Sequence, residues 1–307
     1  MDPQNTREDA AVTYRYVRVG LVALVVFLLV SLVLTWEHSC PQGSISAYFY
    51  TRTHAVFIAA LCAVGICLIA YKGTRLGEDA LLNFAGFLAF VVALAPTGSE
   101  GVCEAWLPTV EHPLDAIPNN IFALVVGATV GTGLYLGLQK WRPPQSAPTA
   151  TTPDLSGVRG IWKVVANVLL TIETGLPKVL FAAVVGGGLL LFWPPAREYA
   201  HITAAVAMFL AIILVAVYHA CYAKAAERPH RAQFYATVAT LMLLAVLLAI
   251  GFWLVGFPYV VVGVEIALIA LFAIFWGVQT WDVWELHDRY PEDSVPALAD
   301  AVVSKGE

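Results

Sequence analysis

Long uncharged apolar segments alternate with short polar segments along almost the whole chain. A helix of about 20 apolar residues crosses the roughly 30 Å hydrocarbon core of a bilayer, so each segment of that length predicts a membrane-spanning helix. The predicted fold class is therefore all-α, a polytopic transmembrane helix bundle. The pattern predicts eight spans, at residues 19–36, 54–71, 80–96, 119–139, 177–194, 199–222, 233–255 and 259–281.

The composition agrees with a membrane protein. Hydrophobic residues make up 59% of the 307 residues and charged residues only 13%, and the mean hydropathy is +0.75. A soluble domain usually carries about 25% charged residues. The net charge of -5 comes without a long run of one sign, which argues against a nucleic-acid-binding surface. Membrane lipids are the expected partners, with other membrane proteins or self-association as further candidates.

The positions of the basic residues predict the orientation. Lys and Arg concentrate in the cytoplasmic loops of multi-pass proteins. With a cytoplasmic N-terminus, fourteen basic residues fall on the cytoplasmic side and two, Arg52 and Arg197, on the other, while Lys178 lies within the fifth span. We therefore predict a plasma-membrane protein with both termini in the cytoplasm.

A segment rich in Pro, Ser and Thr separates the fourth and fifth spans and predicts a flexible cytoplasmic linker. The start of the second half, residues 158–174, is either an interfacial helix or a tilted extension of the fifth span. The predicted organisation is a cytoplasmic tail at 1–18, a four-helix bundle at 19–142, the linker at 143–157, a second membrane bundle at 158–284 and a cytoplasmic tail at 285–307.

Two cysteines lie outside the predicted spans, Cys40 in the first external loop and Cys103 in the second. A disulfide between them suits an oxidising exterior, and the alternative is a pair of unrelated free thiols. Cys62, Cys67 and Cys221 lie within apolar segments and are expected to be small packing residues.

Charged residues within a membrane are costly and draw attention as functional candidates. Glu173 and Lys178 flank Gly175 and Pro177, which predicts a break in the helix and a pair between the two charges. Such a break can expose backbone groups to a ligand, as in transporters with discontinuous helices. The alternative is an ordinary kink with a neutralising ion pair.

Glu265 lies in the last span, with Gln279 fourteen residues further on. At 100° per residue the two positions are about 40° apart, so they share one helix face. A carboxyl group at this depth must face protein or a water-filled cavity, or stay protonated. It either has a function or makes one buried hydrogen bond that orients helices.

Histidines are the candidates for a metal or haem site. His54 and His201 begin the second and sixth predicted spans at the same level, and two histidines on different helices can ligate zinc or one haem. His219 lies eighteen residues, or about five helical turns, after His201 on the same stripe. The alternative is that these histidines have interfacial or packing roles. Candidates for a third ligand are Glu37, Glu111 and Glu198.

The fourth predicted span contains two overlapping pairs of glycines spaced by four. This small-xxx-small spacing lets helices approach closely and predicts a packing face. The glycines are Gly127, Gly131, Gly133 and Gly137.

Several short segments resemble the superfamily that contains DRAM (the damage-regulated autophagy modulator) and the GPI-lipid-remodelling cofactor proteins. Pro41–Ser46 resembles that family's Pro-x-Ile-Ser loop, His201–Phe209 its His, small-residue and Phe pattern, and Val264-Glu265 its Ala-Glu-Trp, with Ile266 in place of Trp. The segment Phe275–Thr280 resembles a Phe-Trp-x-x-Gln-Thr motif of actinobacterial multi-pass membrane proteins. The resemblance implies a role with membrane lipids, and it implies six spans rather than eight.

Three functions remain open from the sequence. The first is a lipid-associated or scaffolding membrane protein, because no phosphate-binding loop, serine-nucleophile elbow or zincin motif is present. The second is a membrane-embedded metal-dependent lipid hydrolase with His54 and His201 on zinc, in the manner of the alkaline ceramidase and adiponectin-receptor superfamily. The third is a transporter of ions or small solutes that uses Glu173, Glu265 and the break near Pro177.

Overall fold

The computed structural model describes residues 3–38, 40–98, 102, 116–141, 155 and 158–282. All regular secondary structure in these ranges is helical. The helices are α1 (Pro3–His38), a short 3-10 helix (Ser46–Tyr50), α2 (His54–Ala70), α3 (Leu76–Leu94), α4 (Ala116–Trp141), α5 (Ile161–Glu173), α6 (Leu176–Leu190), α7 (Pro194–Arg197), α8 (Ala200–Ala225), α9 (Pro229–Leu254) and α10 (Pro258–Asp282).

Proline and glycine set several helix boundaries. Pro177, Pro194, Pro229 and Pro258 lie in the first turns of α6, α7, α9 and α10, where the missing N–H group removes no helical hydrogen bond. Gly256, between α9 and α10, has a φ of 76°, a left-handed conformation that glycine adopts without strain. The last two long helices are therefore joined by a tight turn.

Six helices form a closed ring. Contacts join α1 to α2, α2 to α3, α3 to α8, α8 to α9, α9 to α10, and α10 back to α1. The ring takes three helices from each side of the predicted linker, so helices of the two predicted bundles pack together. Helices α4 and α6 lie against α3 and contribute no link to the ring.

Apolar side chains fill the inside of the ring and also cover much of its outer surface. Leu82, Val215, Met242, Phe275 and Trp276 are buried inside it. The outward face of α1 exposes a long row of large apolar residues that no other helix among the described residues covers. A soluble protein rarely exposes so large an apolar surface, whereas lipid chains cover it in a membrane protein. The exposed residues are Val26, Phe27, Val30, Val33 and Leu34.

Five of the described helices are long and apolar enough to cross a membrane, and a sixth crossing results if α5 and α6 together form one broken span. Helix α2 is apolar but has only 17 residues, about 26 Å at 1.5 Å per residue. The prediction of an all-helical membrane protein is therefore confirmed at the level of five or six spans.

The axes of α5 and α6 differ in direction by 62°. The segment before the fifth predicted span is thus a separate helix and not a straight extension of that span. Helix α5 is amphipathic, because Ala166 and Leu169 are buried while Lys163, Asn167 and Thr171 are exposed on its other side.

The glycine contacts differ from the prediction. Gly133 and Gly137 of α4 have no other part of the described chain within 4 Å of the position a Cβ atom would take. Close approach occurs instead between α2 and α3, where a Cβ on Gly65 would lie 2.7 Å from the Gly86 carbonyl oxygen. For Gly133 and Gly137 the predicted packing face has no partner helix in the described chain, because glycine spacing identifies small residues without identifying a partner.

Some predictions fall on residues that the structure does not describe. These include most of the linker 143–157, the C-terminal tail 285–307, Glu111 and Cys103. Cys62, Cys67 and Cys221 have free thiols, and Cys40 does not. The disulfide between Cys40 and Cys103 stays a prediction because Cys103 lies outside the described residues.

Candidate functional site

One end of the ring contains a cavity of about 550 Å³. The loop 43–47, the segment after α3 and the N-terminal turns of α8 supply its polar wall, which includes Ser44, Ser46, Thr97 and His201. Helices α8, α9 and α10 supply its apolar wall. Glu265 of α10 and Glu198 also line it, so the fold brings together residues far apart in the sequence. We call this space the His201 cavity.

Both ring nitrogens of His201 are held by hydrogen bonds. Nδ1 lies 2.7 Å from the carbonyl oxygen of Ala95, and Nε2 lies 2.5 Å from Oγ of Ser46. A carbonyl oxygen only accepts, so Nδ1 carries the proton and Nε2 of the neutral ring accepts from the Ser46 hydroxyl. His201 is 6% exposed, and its side chain is fixed in position by the two contacts.

Glu265 anchors the loop that carries Ser46. The backbone N–H of Ile45 donates to Glu265 Oε2 at 2.6 Å, and the N–H of Ala47 donates to Ser44 Oγ at 3.1 Å. The 3-10 helix is held from its other end because the Tyr50 hydroxyl donates to the Thr97 carbonyl at 2.6 Å. Burial raises the pKa of Tyr50, which keeps this donor protonated.

His54 does not line the His201 cavity. Its Nδ1 lies 2.6 Å from the Phe49 carbonyl oxygen, and its ring packs edge-on against Phe49 with centroids 4.4 Å apart. Among the described residues, no group of three or more His, Cys, Asp or Glu side chains is placed to hold a metal ion. The described contacts of His54 and His201 are hydrogen bonds and ring packing, and the zinc or haem site stays a prediction.

The opposite end of the ring contains a buried polar group that we call the Glu78 cluster. Glu78 of α3 is 0% exposed. Its Oε2 accepts from the Thr74 N–H at 2.9 Å and the Tyr222 hydroxyl at 3.0 Å, and its Oε1 lies 3.3 Å from His219 Nε2. His219 thus pairs with a carboxylate that the sequence analysis overlooked. The predicted third span began at residue 80 and so left Glu78 outside the membrane segment.

Glu173 pairs with Arg75 and not with Lys178. Arg75 Nη2 lies 2.8 Å from Glu173 Oε2, whereas Lys178 is exposed. The bend between α5 and α6 directs Glu173 toward the start of α3, so the nearer charge in sequence is the wrong partner. Burial alone would lower the pKa of Arg75, but the hydrogen bond and negative charge of Glu173 raise it above its usual value.

Gln279 belongs to a third polar contact inside the ring. Its Nε2 donates to the Tyr71 hydroxyl at 2.8 Å, and Arg18 Nη2 donates to the same oxygen at 2.8 Å. Fourteen residues separate Gln279 from Glu265, about 21 Å along a helix, so the two share a helix but not a site. Arg18 and Tyr71 gave no functional signal in the sequence.

Comparison of the chain with protein-family models, with curated proteins and with solved structures found no match.

Proposed function

We propose that this chain binds a membrane lipid in the His201 cavity, as a plasma-membrane protein with eight spans and both termini in the cytoplasm. The observation that carries the proposal is the composition of the cavity, which has hydrogen-bonding groups at one wall and apolar side chains at the other. A volume of about 550 Å³ is within the usual range for small-molecule sites. A lipid has a polar headgroup and apolar chains, so it can contact both walls.

The cavity opens to the surface of the bundle, which a lipid needs for entry. Tyr199 and Trp253 both line it and are 54% and 51% exposed. Ile250 and Leu268 continue the apolar wall inward toward Phe209. A lipid chain can thus enter from the surrounding bilayer while its polar end meets the loop 43–47.

The polar wall favours a headgroup that donates hydrogen bonds. Ser44, Ser46, Glu198 and Glu265 all offer acceptor oxygens, and the described residues lining the cavity include no Lys or Arg. A lipid whose headgroup is only a phosphate would find no Lys or Arg side chain to pair with among the described lining residues. The best-fitting lipid class is therefore one with free hydroxyl groups in its headgroup.

The distribution of basic residues supports the proposed orientation. Lys72 and Arg75 lie between α2 and the start of α3, Lys224 lies near the end of α8 and Arg231 near the start of α9, all at the end of the ring opposite the His201 cavity. The positive-inside rule assigns that end to the cytoplasm. The His201 cavity then belongs to the outer leaflet.

The six-membered ring also supports the resemblance to the DRAM and GPI-remodelling superfamily. That family typically has six spans, so the two proposed spans outside the ring, α4 before the predicted linker and α6 after it, are a departure from the family. Membership in the family is part of our proposal and agrees with a lipid as the ligand. A resemblance of fold alone does not establish a function, and the polar and apolar walls of the cavity are the main support for lipid binding.

Lipid retention tests the proposed function. Native mass spectrometry of the detergent-released protein should find a bound lipid, and Ala205→Trp should eliminate it because Ala205 lines the cavity and the indole would fill that space. Leu210→Trp is the matched control, since Leu210 belongs to the same helix and is exposed outside the cavity. Equal lipid retention in both variants would contradict the site, and a stoichiometric metal mass would favour the metal-hydrolase alternative.

Thiol labelling tests the sidedness and the predicted disulfide together. A membrane-impermeant maleimide should label Cys40 and Cys103 on intact cells only after reduction, whereas the Cys103→Ser variant should be labelled at Cys40 without a reductant. Cys40→Ser provides the reciprocal control. Labelling of Cys40 and Cys103 in the unreduced wild-type protein would refute the disulfide. Labelling of these cysteines only in permeabilised cells would refute their external position.

A further inference from the structure

The Ser46–His201 pair has the arrangement of an activated nucleophile. A serine hydroxyl becomes nucleophilic when a neighbouring base accepts its proton and a third group orients that base. Here Ser46 Oγ is 2.5 Å from His201 Nε2, and the Ala95 carbonyl holds Nδ1 at 2.7 Å. The three groups come from the first loop, from α8 and from the end of α3, which are distant in sequence.

The surroundings of the pair restrict its geometry. Ser46 begins a short 3-10 helix whose preceding residue is tied to Glu265, and His201 is buried at the start of α8. A catalytic pair needs such support because small displacements reduce the rate strongly. Glu265 touches the backbone of the loop and is in this sense a positioning residue.

Both members of the pair also line the His201 cavity. A lipid bound there would have its chains along Phe209, Ile250 and Leu268 and its polar end near Ser46. In an ester lipid, the ester carbonyl lies at the junction between the chain and the polar end. A lipid ester bound in this way would have its carbonyl carbon near Ser46 Oγ.

We propose that Ser46 and His201 catalyse acyl transfer from a lipid ester, an inference that rests on the proposed lipid site. Ser46 Oγ bonds to the ester carbonyl carbon as its proton passes to His201 Nε2. The bond from that carbon to the alcohol oxygen then breaks, and His201 returns the proton to the departing alcohol. The result is an acyl group on Ser46 and a free alcohol.

The second half of the reaction regenerates the pair. A water molecule or a hydroxyl-bearing lipid gives its proton to His201 Nε2 while its oxygen bonds to the acyl carbon. Ser46 Oγ leaves and takes the proton back from His201. With water the product is a fatty acid, and with a hydroxyl lipid it is a new ester, so no oxidant or other reactant is required.

An alkyl fluorophosphonate tests the nucleophile in the full-length chain in detergent, because such a probe bonds to an activated serine oxygen and releases fluoride. Intact mass should show one adduct per wild-type chain, mapped to Ser46, and none in Ser46→Ala. His201→Ala should slow labelling by about 100-fold or more, the range for loss of a general base. Ser31→Ala is the control and should be labelled like the wild type, since Ser31 lies in α1 outside the cavity lining and its hydroxyl donates to Thr53.

The outcomes separate this inference from the lipid site. Retained lipid and an unlabelled wild-type protein would overturn the nucleophile and leave the lipid site intact. A labelled Ser46 in a protein that retains no lipid would overturn the lipid site alone. An adduct that persists in Ser46→Ala would also refute the assignment, and retained lipid in Ser46→Ala would show that this variant folds.

Discussion

Replacing Glu78 with alanine should lower the free energy of unfolding by about 3–5 kcal/mol, because two hydrogen bonds to a buried carboxylate are lost and each contributes about 1.5–3 kcal/mol. Glu78 is 0% exposed and makes contacts with Thr74, Tyr222 and His219. Its removal would leave the Tyr222 hydroxyl and the Thr74 N–H without their acceptor inside the ring. It would also open a gap between α3 and α8, which pack together over much of their length.

The Glu78→Gln variant removes the negative charge of the side chain but keeps one oxygen that accepts hydrogen bonds. Its side-chain oxygen can still accept from the Thr74 N–H and the Tyr222 hydroxyl, while the amide replaces the oxygen that faces His219. We therefore expect a smaller loss than for alanine, about 1–3 kcal/mol. A loss equal to that of Glu78→Ala would show that the negative charge, and not the shape or the acceptor, provides the stability.

Unfolding by denaturant in mild detergent, followed by tryptophan fluorescence, measures both losses. The neighbouring Asp79 provides the control, because it pairs with Lys72, which is 66% exposed. Asp79→Asn keeps an oxygen for the Gly73 N–H and removes only this pair, so its effect should stay below about 1 kcal/mol. Equal effects at the two adjacent positions would contradict the special role of Glu78.

The positions of the helices could be predicted from the sequence because length and apolar content are local properties. The boundaries of the eight predicted segments lie within four residues of the helix ends in the structure, apart from the start of α1. The ring could not be predicted, since the contacts of α3 with α8 and of α1 with α10 depend on packing between distant parts of the chain.

The candidate site was predicted in part. Glu265 was predicted as a membrane-embedded polar residue and His201 as a candidate metal ligand, and the two line one cavity with Glu198. The predicted partners were less successful, because partners are set by three-dimensional geometry. Glu173 reaches Arg75, 98 residues away, and not the nearby Lys178. Ser46 meets His201 across 155 residues, and a serine in a short loop carries no sequence signal for that contact.

Gly65→Ala should destabilise the protein by about 1–3 kcal/mol, the usual cost of forcing extra volume into a packed interface. The added Cβ would lie 2.7 Å from the Gly86 carbonyl oxygen and 3.0 Å from the Phe90 ring. The carbonyl belongs to the backbone of α3, so relief requires movement of a whole helix. Gly86→Ala should behave alike, because its Cβ would lie 2.6 Å from the Gly65 carbonyl oxygen.

Gly137→Ala is the control, and it is expected to raise the free energy of unfolding slightly instead of lowering it. Its Cβ would meet nothing within 4 Å, and alanine in a helix is favoured over glycine by roughly 0.5–1 kcal/mol, so a small gain in stability is expected. The same unfolding assay compares the variants. A neutral Gly65→Ala would refute the close contact between α2 and α3. A large loss in Gly137→Ala would instead indicate that the α4 glycines pack against a second copy of the chain, because no other helix of the described chain approaches Gly137.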